Sequence, residues 1–436
     1  MKKTLDIRRF FQACAPSKTL VFKDTEDFQY YIDFSTVRGG KIIEALEQTI
    51  THSLDHPTCQ LFTGHIGSGK STELLRLKAE LEQQEFYVVY FESTQDLDME
   101  DVDITDILLA IARQVSQSLE AIQIKLKLNN LASLFNAAKE FLQMPLDITT
   151  EAELSENIAK ITAQTKDSPK IRNKLRQYLE PRTQTILEAI NKELFEPATE
   201  ELKRQGKKGL VVIIDNLDRM SFRLMPSGRS QKDYIFVDRG QELRQLKCHM
   251  IYTIPLDLIF KEFEKLTNGL GGGKTPKVLP MVPVQLRNGS DNQYALELLR
   301  QLVLARAFPD VDPEQRKQLV TLVFRQQETL DTLCRVSGGH IRNLLGLISR
   351  CLQQEDLPLS PNCLEIAIRE YSNNLSLSLT DEERNLLQQV REQQTVGAES
   401  KYQDLVRSLF IFEYHDQQGS WFSINPLLME EKRIKS

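Results

Sequence analysis

Eight consecutive residues, Gly64-His65-Ile66-Gly67-Ser68-Gly69-Lys70-Ser71, have the types and spacing to hold a nucleoside triphosphate. They match G-x-x-x-x-G-K-[ST] in full. Glycine lets the backbone curl so that successive N–H groups point at phosphate oxygens, where side chains would obstruct the approach. Lys70 supplies a point charge for the β- and γ-phosphates, and the Ser71 hydroxyl suits Mg²⁺. Gln60 to Thr63 reads as a short strand feeding the loop. Ser71 and Thr72 open a helix that continues through Lys78, and a helix N-terminus favours anions. The expected ligands are ATP and Mg²⁺.

A second signature lies far downstream. Leu210 to Ile214 is a buried, β-branched strand that ends in Asp215. An acid so placed holds the Mg²⁺ water shell opposite Ser71. Cys248 to Pro255 is a further strand, and Thr253 at its tip would reach the γ-phosphate or the attacking water; an ordinary strand-end threonine fits equally well. Gly269-Leu270-Gly271-Gly272-Gly273-Lys274 looks like a second cradle but has no K-[ST] ending, and Pro276 precludes a following helix. It reads as a surface loop.

These groups need elements to position them. The coarse pattern is α/β: Phe86 to Phe91 and Lys277 to Val284 complete a set of strands, while Ile42 to His52 and Thr105 to Ile122 carry apolar residues at helical spacing. Tyr30 to Phe34 reads as strand-like. The stretch Phe34 to Gly40, just upstream of the loop, is either a base-contacting segment or plain core. From about 125 to 205 the chain is polar and helix-periodic, interrupted by Pro145, Pro169, Pro181 and Pro197. Its cations, Lys166, Lys170, Arg172, Lys174 and Arg176, read as a solvated helix face. The organisation predicted is a leader (1–30), a P-loop core (31–290) bearing a helical insertion (about 125–205), a helical lid (291–377) and a winged helix (378–436). In the last, Thr380 caps a helix, a second helix spans Tyr402 to Ser408, and Leu409 to Tyr414 pairs with Trp421 to Ile424 across a turn. In the lid, helices are expected over Tyr294 to Ala307, Pro313 to Gln327, Leu330 to Val336 and Ile341 to Gln353.

Composition narrows the function classes. Of 436 residues, 41% are hydrophobic and 27% charged, which is ordinary for a globular chain of two or three domains. A net charge of −6 argues against a generally basic nucleic-acid coat. The six cysteines lack C-x-x-C spacing and suggest neither zinc nor a disulfide framework. No secretory signal and no bilayer-spanning apolar run are read, so the expected location is cytoplasmic.

With these features in place, the chain resembles P-loop ATPases of the AAA+/STAND group, especially bacterial ATPases similar to origin-recognition proteins with a C-terminal winged helix. The resemblance spans about residues 30 to 430 and rests on the Gly64 to Ser71 loop, the strand to Asp215, the Thr253 strand tip, and Gly338-Gly339-His340-Ile341-Arg342. It implies a five-stranded parallel sheet followed by a helical lid, and a γ-phosphate sensor at Arg342. Two departures accompany it. Asn216 stands where the family usually has a second acid, and the resemblance implies Asp218 as the substitute that polarises water. Pro255 to Val278 has no arginine to act as an inter-subunit finger; Arg219 and Arg239 are the nearest alternatives, and an ion pair within the subunit explains either as well.

The reading is therefore an ATP-binding switch coupling ATP binding and hydrolysis to self-association or engagement of a separately encoded partner protein. The alternatives are a DNA-associated loader or remodeller, and a scaffold that holds ADP or ATP without hydrolysis. DNA is not favoured: residues 381–436 hold ten acidic and seven basic residues, the latter clustered only at Lys432, Arg433 and Lys435. Arg219, Arg223, Arg229 and Lys232 are the other candidate phosphate contacts.

Overall fold

The computed structural model describes residues 5–22, 25–142, 168–225, 227–377, 379–397 and 399–429. Its centre is a five-stranded parallel sheet flanked by helices, a P-loop NTPase fold. The strands are β1 (Cys59–Gly64), β2 (Tyr87–Glu92), β3 (Leu210–Asp215), β4 (His249–Thr253) and β5 (Lys277–Leu279), in the order β2-β3-β4-β1-β5. Every residue of β3 is buried, which is why its sequence is a continuous apolar run rather than an alternating one. Glu92 pairs with Asp215, Ile214 with Tyr252 and Phe62 with Thr253. The C-terminal tips of four strands therefore share one edge, and from that edge β1 runs into the glycine loop.

Two compact units divide the chain. The second, Ile43–Thr63 and Leu77–Lys277, holds most of the sheet and one large apolar core. The helix Ile104–Ala121 contributes eleven buried residues to this unit and starts at a capping box between Asp103 and Asp106. The insertion is helical where described: Asn129–Leu142, Pro169–Leu179, Thr183–Ala189 and Glu196–Arg204, with a π-turn over Ile190–Phe195. Pro145 and Lys166 lie outside the described residues. Lys170 and Lys174 are exposed, as expected of a solvated cation face, but Arg172 and Arg176 depart from it. Arg172 is buried and bridges Asp98 at 2.6 Å and Asp101 at 3.2 Å, and Arg176 bridges Asp101 at 2.5 Å and also meets Asp106. Buried guanidinium groups need such partners, and the aspartates following β2 supply them.

The first unit comprises Met1–Ile42, Gly64–Arg76 and Val278–Ser436. Its main core is built from the helices Gln293–Ala307, Gln327–Val336, Ile341–Gln354 and Pro361–Ser376. The helices Asp381–Gln393 and Ser400–Arg407 follow, then an antiparallel hairpin of β6 (Ile411–Asp416) and β7 (Gly419–Ile424). Thr380 caps the first of these two helices in a reciprocal box with Glu383, as its sequence predicts.

Three predicted elements differ. Tyr30 to Phe34 is no strand: a helix spans Thr25–Tyr30, and Asp33 then accepts the Ser35 N–H at 2.8 Å in a local turn. The helix predicted over Pro313 to Gln327 is broken into Pro313–Arg316, a 3₁₀ turn Lys317–Leu319 and Val320–Val323. It stops because Leu359 N–H donates to Val323 O while Leu359 O accepts from Arg325 N–H, converting the chain there to an extended bridge. The last core strand ends at Leu279 rather than Val284, since Pro280 has no N–H to donate and Met281 N–H goes to Glu413 O at 2.9 Å.

Candidate nucleotide site

In the first unit the glycine loop is held by its carbonyls. Lys70 Nζ donates to Gly64 O at 2.7 Å and His65 O at 2.9 Å. His340 Nε2 meets Ile66 O at 2.8 Å; a carbonyl only accepts, so this nitrogen carries the proton. Arg342 N–H donates to Gly67 O at 3.2 Å, and Arg38 donates from its guanidinium to Ser68 O at 2.8 Å. Gly69 O accepts Glu73 N–H at 3.1 Å, the first bond of the helix Lys70–Gln83. Within a planar trans peptide the C=O and N–H point opposite ways. Fixing these carbonyls thus sets the directions of the following N–H groups, the geometry of an anion nest.

The Ser68 hydroxyl is buried without a hydrogen-bond partner, a polar group awaiting one. Gly69 has φ +104° and open space where a Cβ would stand, so the backbone is approachable there. Gly67, at φ +89°, has the opposite character: an added Cβ would fall 2.5 Å from His340 Nε2. The loop is open on one side and packed on the other, as a cradle requires. Ser71 and Thr72 lie in the first turn of the following helix. Leu20 N–H donates to the Thr72 hydroxyl at 3.5 Å, a contact at the limit of hydrogen bonding.

Residues that the motif leaves unspecified do the packing. His65 is 2% exposed; its Nε2 accepts the Glu413 N–H of β6 at 2.9 Å. Burial, helped by the nearby charges of His340 and Lys70, lowers its pKa to about 3, and burial lowers that of His340 to about 4. Both rings are neutral. Phe412 packs its ring against both, with centroids 5.8 Å from His65 and 5.5 Å from His340. The Glu413 carboxyl accepts from Ser420 Oγ at 2.8 Å while its other oxygen has no partner, and burial raises its pKa to about 7.

In the second unit, Asp215 is fully buried at the end of β3. Its Oδ2 accepts the Tyr90 hydroxyl at 2.8 Å and its Oδ1 accepts Asn216 N–H at 2.7 Å. Asn216 takes φ +65°, a left-handed turn that asparagine tolerates, and leads into the 3₁₀ turn Leu217–Arg219 that contains buried Asp218. Thr253 Oγ1 accepts Leu217 N–H at 3.0 Å and donates to Ile214 O at 3.3 Å. The hydroxyl thereby ties the tip of β4 to the turn after β3. Asp215, Asn216, Asp218 and Thr253 form one cluster; the glycine loop, Arg38 and the Arg342 backbone form another.

Several cations weighed for nucleic acid are committed elsewhere. Lys232 is buried against Asp257, Arg229 pairs with Asp238 at 2.7 Å and Glu262 at 3.4 Å, and Arg223 pairs with Asp101. Arg239 bonds Glu242 at 2.7 Å, the intra-subunit ion pair that its position allowed; Arg219 is exposed. Lys432, Arg433 and Lys435 lie outside the described residues.

Sequence reasoning did not single out Arg38 or Tyr90, and it named His65 and His340 only as letters of their motifs, without the packing role that their imidazoles take. Arg38 falls inside the flagged stretch Phe34 to Gly40, where it is the one charged residue. Tyr90 is one aromatic in an apolar strand, and nothing local marks it.

Residues 40–223 match the family model described as the KAP family P-loop domain. No curated protein matches the chain. Among solved structures, the Walker-type ATPase PABY2304 of Pyrococcus abyssi is 12% identical, with 88% of this chain and 93% of that one covered and a TM-score of 0.42. Cdc6p from Pyrobaculum aerophilum is 13% identical over 94% and 97%, with a TM-score of 0.37. The Aeropyrum pernix ORC1 protein, solved in complex with DNA, is 11% identical over 89% and 91%, with a TM-score of 0.35. The chain carries a P-loop NTPase domain, and among the described residues no helix is long and apolar enough to cross a membrane.

Proposed function

We propose that the chain is an ATP-dependent switch of the AAA+/STAND type, in which the phosphate loop binds ATP and its hydrolysis resets the C-terminal elements. The observation that carries this reading is the dual attachment of Gly64 to Ser71. The loop continues from a core strand, yet its carbonyls are held by His340 and the Arg342 backbone at the start of the helix Ile341–Gln354. A ligand that orders the loop therefore has a direct route to the C-terminal half, which is what a differential interaction with two states requires.

The role of each residue follows from its chemistry. The N–H groups of His65 to Thr72, except that of Ser68 which donates to His65 O at 3.2 Å, and the Lys70 ammonium would bind the phosphates. The Ser71 hydroxyl and the Asp215 carboxylate would hold Mg²⁺, which when bound neutralises charge on the β- and γ-phosphates. Asp218 is the candidate to orient water, Thr253 to contact the γ-phosphate, and Arg342 to report it. With Asn216 beside the metal acid, hydrolysis is expected to be slow. The two helices and hairpin from Asp381 to Ile424 are read as a winged helix that contacts protein, either another copy or a separate partner. The pairing of Arg223, Arg229 and Lys232 with carboxylates supports protein over DNA as the partner.

The deciding experiment measures ATP binding and turnover by the purified chain with Mg²⁺, beside Lys70→Ala and Arg342→Ala. Binding lost in Lys70→Ala, together with turnover reduced in Arg342→Ala, supports the switch. Equal turnover by wild type and Lys70→Ala overturns it.

A further inference from the structure

We propose that His65 is a positioning residue through which the C-terminal hairpin sets the shape of the phosphate loop, with His340 as the second anchor of the same clamp. This inference rests on the nucleotide reading above and names the regulation of that site.

His65 occupies the first variable position of the motif, where the motif makes no chemical demand. A side chain there would serve a ligand only if it faced the cradle, but this imidazole is buried on the packed side. Its Nε2 accepts a backbone N–H from β6, so the bond depends on where the hairpin lies and not on which side chain position 413 carries. The next residue is anchored through its carbonyl to His340 Nε2. Phe412 contacts both imidazoles, edge-on to His65 and tilted against His340, and the Tyr414 hydroxyl donates to Gly338 O at 2.8 Å, fixing the turn that presents His340. Met281 N–H on Glu413 O completes the attachment of β6. The hairpin, the His340 turn and loop residues 65 and 66 are thus joined by three hydrogen bonds and by the edge-on and tilted contacts of Phe412 with the two imidazoles.

Two neighbouring peptides of the loop are held this way, and their orientation sets the N–H groups that would meet phosphate. If β6 shifts, His65 and Ile66 lose their anchors together and the nest loses its shape. Conversely, a phosphate that fixes the nest favours the docked hairpin, because coupling between sites is reciprocal. Protonation is not the lever, since both rings stay neutral well below neutral pH.

The test uses the full chain with ATP·Mg²⁺ as the probe and two readouts, affinity and hydrogen exchange over residues 411–424. Wild type should gain amide protection in the hairpin on binding. His65→Ala and His340→Ala should each weaken ATP by about tenfold, the loss of one buried hydrogen bond, and abolish the nucleotide-dependent protection. His65→Gln, whose amide oxygen can accept the Glu413 N–H, should restore both and so separates positioning from misfolding. Wild-type affinity and wild-type protection changes in His65→Ala overturn the inference while leaving ATP binding intact. Loss of affinity in His65→Gln equal to that in His65→Ala, with the variant folded, also overturns it. Absence of ATP binding by wild type itself overturns the nucleotide reading and this inference with it.

Discussion

The Tyr90 hydroxyl donates to Asp215 Oδ2 at 2.8 Å, joining the acid that ends β3 to the strand beside it. Asn216 N–H donates to Oδ1 as well, so both carboxylate oxygens meet fixed donors and the group is held in one orientation.

Tyr90→Phe should therefore preserve the fold and loosen Asp215. We expect ATP affinity within about threefold of wild type, and turnover lowered roughly fivefold to tenfold with a raised Mg²⁺ requirement, about 1 kcal/mol of lost orientation. Steady-state rates across a Mg²⁺ titration check this; an unchanged Mg²⁺ requirement would remove Asp215 from the metal role.

Lys70→Ala deletes the charge that the loop directs at the phosphates. Nucleotide binding should fall by at least about a hundredfold, as expected for losing a charge-assisted contact. A fluorescent ATP analogue measures it directly.

Gly339 sits at φ +72°, where an added Cβ would collide with Val282 O. Both the dihedral and the collision oppose any side chain. Gly339→Ala should lower unfolding stability by about 2 kcal/mol or more, and by displacing His340 should also weaken ATP. Urea unfolding and ATP titration of the same sample give both quantities.

The pH profile carries two limbs of opposite sign. His65 and His340 titrate at about 3 and 4 when folded and near 6.5 when unfolded, so on acidification the unfolded chain takes protons first. Their contribution is complete above about pH 6.5 and is lost as pH falls toward the folded values. Glu413 is the reverse: folded it titrates at about 7, against about 4.3 unfolded, so stability drops as pH rises between those values. Glu413→Gln, which keeps an acceptor for Ser420, should be more stable than wild type above pH 7 by up to about 3 kcal/mol, and the difference should vanish near pH 4. Urea midpoints from pH 4 to 8 for both proteins test it.

Thr253→Val keeps the side-chain shape but leaves Leu217 N–H without its acceptor. A loss of about 1–3 kcal/mol of stability is expected from the unsatisfied donor. Turnover falling beyond what that loss of folded protein explains would give the hydroxyl a role at the phosphate as well.

The chain's own chemistry determined the phosphate loop, the buried strand to Asp215, the two helices and hairpin at the C-terminal end, and the α/β class. Each is a local pattern: a contiguous motif, a run of β-branched residues, a capping box at Thr380, alternation across a turn. What only the tertiary structure decided is what those patterns touch. Arg172 and Arg176 look like any polar helix face until Asp98, Asp101 and Asp106 are brought to them from before the insertion. The strand expected to reach Val284 ends at Leu279 because a distant hairpin takes the Met281 N–H. His65 is a variable letter in its motif, and its meaning comes from an amide 348 residues away. Short-range propensity is written in neighbouring residues, whereas satisfaction of a buried polar group depends on partners that only folding assembles.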